Sequence, residues 1–292
     1  MRAREPDRSG FAENGGVRIA YEVFGDGDPM ILFLPNTPII HSRQWKGQVP
    51  YFARHARVVT FDGRGNGGSD RPTRLEDYRD VVMVRDAFVV LDATETDRVV
   101  VVALCDSVTR ACLMAAEEPE RILGIVAISP GIELGPELEH WNGFESEPET
   151  DEGWGKATRS YWLRDWAGWS RFWAEQCFPE PHSSKQIEDA TSWELGTTAE
   201  LELLAEDAPR VVEGEADAEE LLTRVRCPLV IVAADLDACQ APGRAERMAE
   251  LAGAPLVRLE GAGHCSPGRH PVRINLLIRD FVRSIAFSEV ST

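Results

Sequence analysis

Three adjacent residues in the stretch Val99-Val100-Val101-Val102-Ala103-Leu104-Cys105-Asp106-Ser107-Val108-Thr109-Arg110-Ala111 carry groups capable of nucleophilic chemistry: a thiol, a carboxyl and a hydroxyl. The apolar, mostly β-branched run before them is long enough for a strand buried on both faces. An Ala-, Leu- and Met-rich run follows at once and reads as a helix ending near Pro119. A strand, an abrupt turn and a helix push the residue at the tip out of the sheet in a strained conformation. Its neighbours two before and two after must be small for the backbone to turn; with Cys105 at the tip they are Ala103 and Ser107. A thiol at a helix N-terminus, given a base beside it, is a nucleophile suited to covalent acyl chemistry. The competing reading is a buried cysteine closing a strand, since a free cysteine ordinarily behaves as a small hydrophobe.

Composition narrows the setting. The 292 residues suit one large α/β domain with an insertion, or two domains, and suffice for a substantial core. A formal charge of −18 argues against a nucleic-acid partner, whose phosphates would be repelled. Met1 to Gly10 is charged and carries no apolar stretch, so no signal peptide is expected, and no window reaches membrane-spanning length. The six cysteines, at 105, 112, 177, 227, 239 and 265, form no CxxC pair and no zinc-like spacing. The expectation is a reduced, cytoplasmic protein with no metal and no cofactor.

The elements that must position the chemistry follow from patterning. Residues up to about Asn14 read as a disordered leader. Val17 to Phe24 alternates loosely into the turn Gly25-Asp26-Gly27-Asp28-Pro29, suggesting an edge hairpin. Met30 to Leu34, Arg57 to Phe61, Cys227 to Ala234 and Leu256 to Leu259 read as strands. Trp45 to Ala53, Leu75 to Ala93, Pro242 to Leu251 and Arg269 to Ile285 read as helices. Between them, the segment from Glu137 to about Glu213 holds seven tryptophans: Trp141, Trp154, Trp162, Trp166, Trp169, Trp173 and Trp193. Their spacing from 161 to 173 is helical, and the acidic run from Glu145 to Glu152 reads as a solvated loop. The glycine-rich Asp62-Gly63-Arg64-Gly65-Asn66-Gly67-Gly68-Ser69-Asp70 lacks both GxGxxG and a Gly-Lys-Ser/Thr ending, so a phosphate cradle is a poor reading.

That loop, the stretch around Cys105, and Glu117-Glu118-Pro119-Glu120-Arg121-Ile122 with Gly124-Ile125-Val126-Ala127-Ile128-Ser129-Pro130 together resemble the α/β-hydrolase family. The resemblance implies an α/β fold with a mostly parallel central sheet flanked by helices. Residues 1–136 and 213–292 would form the core, and 137–212 an inserted, Trp-rich helical cap. The family's spacing back from Pro119 selects Cys105 as the tip, where serine and flanking glycines are usual. Asp106 at the tip would instead resemble a dehalogenase or epoxide hydrolase, and Ser107 a serine esterase. The count from Pro228 selects Asp237 as triad acid, with Asp235 as fallback, and Gly261-Ala262-Gly263-His264 resembles the family's triad-histidine signature. Pro35-Asn36 stands where the family often has His-Gly, so the oxyanion donors implied are the Thr37 and Asp106 N–H groups.

The chemistry so implied is hydrolysis of an ester, thioester or lactone of a small apolar or aromatic acyl substrate through an acyl-Cys105 intermediate. Dienelactone hydrolases resemble this arrangement in using a thiol. Acyl transfer or cyclisation from the same thioester, with a carrier-bound acyl donor, is one alternative; a non-catalytic ligand-binding member of the fold is another. Trp162, Trp166 and Trp169 are expected to line the substrate pocket. A small-molecule substrate is the expected partner, with no membrane and no nucleic acid, and nothing in the sequence fixes the oligomeric state.

Overall fold

A single eight-stranded sheet organises the chain in the computed structural model, which describes residues 4–135, 137–147 and 150–290. Its strands are β1 (Arg8–Asn14), β2 (Val17–Phe24), β3 (Met30–Phe33), β4 (Arg57–Phe61), β5 (Val99–Leu104), β6 (Ile122–Ile128), β7 (Leu229–Ala234) and β8 (Leu256–Leu259). Their spatial order is β1-β2-β4-β3-β5-β6-β7-β8. β1 and β2 run antiparallel at one edge, and every pairing from β4 to β8 is parallel.

In chain order the helices are α1 (Val49–Phe52), α2 (Asp80–Ala93), α3 (Ser107–Glu117), α4 (Arg159–Arg164), α5 (Trp166–Cys177), α6 (Ser184–Glu194), α7 (Ala199–Asp207), α8 (Glu215–Arg224), α9 (Pro242–Ala252), α10 (Ser266–Arg269) and α11 (Pro271–Val290). The valine run of β5 shows why the sheet is covered on both faces: all six residues are buried. Val99, Val101 and Ala103 join α2, α3, α8 and α9 in one core layer, while Val100, Val102 and Leu104 join Trp45, α1 and α11 in the other. Helices α4 to α7 lie between β6 and β7; α4, α5 and α7 contribute to a separate aromatic cluster around Trp162 and Trp169, while α6 packs on the sheet-side core. Among the described residues no helix is long and apolar enough to cross a membrane.

The structure corrects several sequence expectations. Residues 8–14 form a strand paired with β2 rather than a disordered leader, the two joined through Gly15 and Gly16, whose φ values of 62° and 83° suit a tight hairpin turn. Backbone pairing to an established edge overrode the weak pattern of this polar stretch. The helix expected over 75–93 is interrupted at Arg79, which is extended with ψ 145°. The aromatic helix breaks at Asp165, whose Oδ1 accepts the Gly168 N–H at 2.8 Å and so caps α5. Of the acidic run 145–152, residues 148 and 149 lie outside the described residues.

The glycine-rich loop after β4 holds neighbouring segments in place. Arg64 and Asp86, 1% and 2% exposed at their side chains, pair at 2.7 and 2.6 Å, fastening the loop to α2. Asn66 donates to the Pro38 carbonyl at 2.6 Å, and Thr197 donates to the Gly65 carbonyl at 2.8 Å. The loop thus grips both the 35–38 segment and the turn between α6 and α7. Gly65 sits at φ 92°, where a side chain is strained, and a Cβ there would crowd Pro38 and Tyr78 at 3.0 Å.

Candidate active site

Between β5 and α3 the chain turns on Cys105, whose φ of 59° puts a side-chain-bearing residue in the left-handed region. The cost of such a conformation, about 1–2 kcal/mol, has to be carried by the surroundings. The Cys105 N–H donates to the Ile128 carbonyl at 3.0 Å, and the Cys105 carbonyl accepts the Gly131 N–H at 3.0 Å. Ser107, fully buried, donates through Oγ to the Leu104 carbonyl at 2.7 Å and accepts the Leu104 N–H at 3.0 Å. Its hydroxyl is therefore a staple of the turn. Asp106 projects beside the sulfur, with Oδ1 3.8 Å from Cys105 Sγ, and its Oδ2 lies 3.9 Å from Arg210.

The loops after β7 and β8 bring two further groups to the same end of the sheet. His264, 2% exposed, has Nδ1 2.9 Å from Asp237 Oδ2 and 3.0 Å from Oδ1. Asp237 Oδ1 also accepts the Cys239 and Gln240 N–H groups at 2.8 and 2.9 Å. Burial pushes the Asp237 carboxyl up, but the imidazole and the two N–H groups outweigh it and hold the group below its ordinary value. Burial likewise opposes a charge on His264, yet the charges of Asp237 and Cys105 outweigh it and raise the ring well above the ordinary histidine value. Asp235 takes another part: its Oδ1 accepts the Ala262 N–H at 3.2 Å, bracing the loop that carries His264. Glu180, reaching over from after α5, accepts the Gly263 N–H at 2.8 Å in the same loop.

Two residues of this site escaped the sequence reading. Gln240 Nε2 donates to Cys105 Sγ at 3.4 Å, while its Oε1 accepts from Arg244 Nη1 at 3.0 Å. Arg244 also donates to the Gly131 carbonyl at 3.2 Å, so the arginine fixes which end of the amide faces the sulfur. The only available signal was proximity to Asp237 at the head of α9, and no pattern in residue type marks a glutamine for this task. The expected oxyanion donors, the Thr37 and Asp106 N–H groups, make no hydrogen bond among the described residues. Gly131 keeps the second one approachable, because a Cβ there would come within 2.9 Å of Asp106 N.

Four cysteines gather here. Cys177 Sγ lies 3.7 Å from Cys239 Sγ, and Cys265 follows His264 directly. Burial pushes the Cys239 thiol up to about 12 and the Cys227 thiol up to about 11; it also raises Cys112 and Cys177. The hydrogen bond from Cys177, with burial, raises Cys265. Asp237, Cys239 and His264 converge within 4.8 Å, a spacing a metal ion could use. The donor set suits a metal poorly, since a thiol held protonated is a weak ligand and Asp237 and His264 already satisfy one another.

Cys105 opens onto a cavity of about 340 Å³. Thr37, Asp106 and Gln240 line it, together with Trp141, Phe144, Trp162, Trp169 and Trp173 from the segment between β6 and β7. Of the three tryptophans singled out in the sequence, Trp162 and Trp169 line this cavity, whereas Trp166 is not in its wall. Trp166 donates its indole N–H to the Glu194 carbonyl at 3.3 Å and packs edge-on to Trp162.

Comparison with known proteins agrees with this architecture. The family described as alpha/beta hydrolase fold matches residues 29–160. A haloalkane dehalogenase of Mesorhizobium japonicum is 32% identical over 134 residues, 46% of this chain and 41% of that protein. The chain thus spans about two fifths of the length of this curated relative, and less of the epoxide hydrolases it also matches. Among solved structures, Est816, described as an N-acyl homoserine lactone degrading enzyme, superposes with TM-score 0.74 at 22% identity, covering 93% of this chain and 100% of its own. A putative aryl esterase from Burkholderia cenocepacia gives TM-score 0.79 at 20% identity over 96% and 99% of the two chains. The chain has the α/β-hydrolase fold.

Proposed function

We propose that this protein is a hydrolase of the α/β-hydrolase fold that cleaves an ester, thioester or lactone of a small acyl substrate through a thioester on Cys105. The observation that carries the reading is the left-handed tip at Cys105, whose side chain acts on an imidazole held 2.9 Å from Asp237. The names of the structural neighbours, a lactone-degrading enzyme and an aryl esterase, favour acyl chemistry. The tip residue, a thiol rather than the carboxyl of Asp106, favours it too.

In the first half-reaction Cys105 Sγ attacks the substrate carbonyl, forming the C–S bond while the oxygen takes up the negative charge. The Thr37 and Asp106 N–H groups stabilise that charge; removing one such donor typically costs about 2.7–4 kcal/mol of barrier. Collapse breaks the bond to the leaving oxygen or sulfur, which takes its proton from the His264 imidazolium. His264, now neutral, removes a proton from water, the hydroxide adds to the thioester, and the C–S bond breaks to release the acid and restore the thiolate. Asp237 holds the ring in the required tautomer throughout. Helices α4 to α7 act as a cap that supplies the aromatic wall.

The test is the intact mass of the protein after brief exposure to p-nitrophenyl esters and acyl thioesters, with Cys105→Ala alongside. A mass gain mapping to Cys105 and missing from the variant is expected. Decay of that adduct in buffer marks hydrolysis, whereas decay only with added alcohol or amine marks acyl transfer. No adduct and no turnover with any donor would sink the catalytic reading.

A further inference from the structure

Two unlike kinds of side chain line the cavity beside Cys105. One is aromatic: Trp141, Trp162, Trp169 and Trp173 pack ring against ring at centroid distances of 4.9 to 6.1 Å. The other is acidic, with five carboxyl groups, those of Asp106, Glu133, Glu137, Glu202 and Glu206, against two guanidinium groups. Both guanidiniums are engaged: Arg210 lies 3.1 Å from Glu206 and 3.9 Å from Asp106, and Arg244 lies 3.3 Å from Glu137. Glu202 and Glu133 have no ion-pair partner among the described residues.

Glu202 is the telling member. It is 2% exposed, its Oε1 accepts the Thr37 hydroxyl at 2.8 Å, and its Oε2 has no hydrogen-bond partner among the described residues. A buried carboxyl oxygen left unpaired is unfavourable, and a purely apolar substrate would leave it so. A cation answers both kinds at once, because aromatic faces attract an ammonium group through their quadrupole and the carboxyl neutralises it. Resting on the acyl chemistry proposed for Cys105, we infer that the cavity takes a substrate bearing an ammonium group, held by the tryptophans and Glu202.

The protonation of Glu202 is consistent with this geometry. Burial, with Glu206 on its own helix and Asp106 opposite, pushes the carboxyl up to about 8. The other charged or titratable groups acting there are Arg110 on α3, Glu194 on α6 and Tyr78 before α2. Nearby Arg110 is itself paired with Asp80 at 3.1 Å, and Arg210 with Glu206. A bound cation favours the ionised carboxyl, so binding releases a proton below that value. Affinity for a permanently charged ligand should therefore rise as pH climbs toward it and level off above.

The experiment uses Cys105→Ala protein and three probes of one shape: choline, neutral 3,3-dimethylbutan-1-ol and anionic 3,3-dimethylbutyrate. Binding is read by calorimetry and tryptophan fluorescence. Choline is expected to bind at least about tenfold tighter than the neutral isostere, as a desolvated cation–π contact implies. The preference should grow from pH 6 to 8, and Glu202→Gln should remove both the growth and most of the preference. Glu133→Gln, at a half-buried position, should lower choline affinity by roughly threefold through lost Coulomb attraction. Equal binding of choline and its isostere, tighter binding of the anion, or no effect of either substitution would overturn the inference. Binding needs no acylation, so failure of Cys105 to react with esters would count against the catalytic reading and leave this result standing.

Discussion

Cys105 sits at φ 59°, tied on both sides by its N–H to the Ile128 carbonyl and its carbonyl to the Gly131 N–H. The hydroxyl of Ser107, bonded twice to Leu104, closes the turn where a glycine would merely permit it. Ser107→Ala removes that staple and strands the buried Leu104 N–H, an expected loss of about 1–3 kcal/mol in urea denaturation. An unchanged midpoint would show that the turn is held by packing alone. Gln240 acts one step nearer the chemistry: Gln240→Leu removes a donor from the sulfur, and alkylation of Cys105 by iodoacetamide at neutral pH should slow by roughly tenfold if that bond favours the thiolate. The Asp237–His264 pair has its own pH signature. His264 is raised in the folded state, so its contribution is complete below pH 6.5 and lost as pH rises through the folded value. Asp237 is depressed, so its contribution is complete above pH 3.8 and lost as pH falls through the folded value. The stability gap between wild type and Asp237→Asn should therefore be widest between pH 4 and 6.5 and narrow at alkaline pH. A gap that widened above neutrality would mean the pair is not charged as described.

At the scale of elements, the site is assembled by four connections: the turn after β3, the turn after β5, and the loops after β7 and β8. The parallel strands behind them were legible because a strand buried on both faces must be apolar throughout, as Val99 to Val102 are. The histidine was legible only through the resemblance of the glycine-flanked stretch before it to a known motif. What was not legible were contacts that depend on three-dimensional approach. Asp165 breaks the aromatic helix although the tryptophan spacing runs straight through it, because one side chain satisfying the Gly168 N–H outweighs a hydrophobic period. β1 escaped notice because its stability comes from the partner strand and from Gly15-Gly16 rather than from its own residues. Gln240 and Glu202 carry no pattern at all and acquire their parts from what the fold sets beside them. The glycine-rich loop agrees at both levels, since its sequence lacks a phosphate-binding motif and its contacts are structural. Asp86→Ala would leave Arg64 charged and buried, an expected loss of about 3–5 kcal/mol. Because the loop also holds Pro38 through Asn66, Cys105 acylation should fall with it; acylation untouched at full destabilisation would separate the loop from the site.

For the whole molecule, the formal charge of −18 and the acidic side chains of the cavity have the same sign, so long-range and local fields act together on an approaching ligand. The two contributions separate by their reach. A field summed over the surface is screened within about 10 Å at 0.1 M salt but extends about 30 Å at 0.01 M, whereas the buried Glu202 carboxyl is screened far less. Methanethiosulfonates carrying either a trimethylammonium or a sulfonate group probe both, because each modifies Cys105 by the same disulfide-forming displacement and differs only in charge. The other five thiols are held protonated, so modification at early times should map to Cys105. The cationic reagent is expected to react faster by at least about tenfold at low salt, relative to the same ratio measured on a small thiol. Raising salt to 0.5 M should cut that ratio severalfold but leave a remainder above one, which Glu202→Gln should then reduce. A ratio that vanishes with salt would assign all selectivity to the surface and none to the cavity, against an ammonium site. A ratio indifferent to salt would assign it all to the cavity and make the net charge irrelevant to recognition.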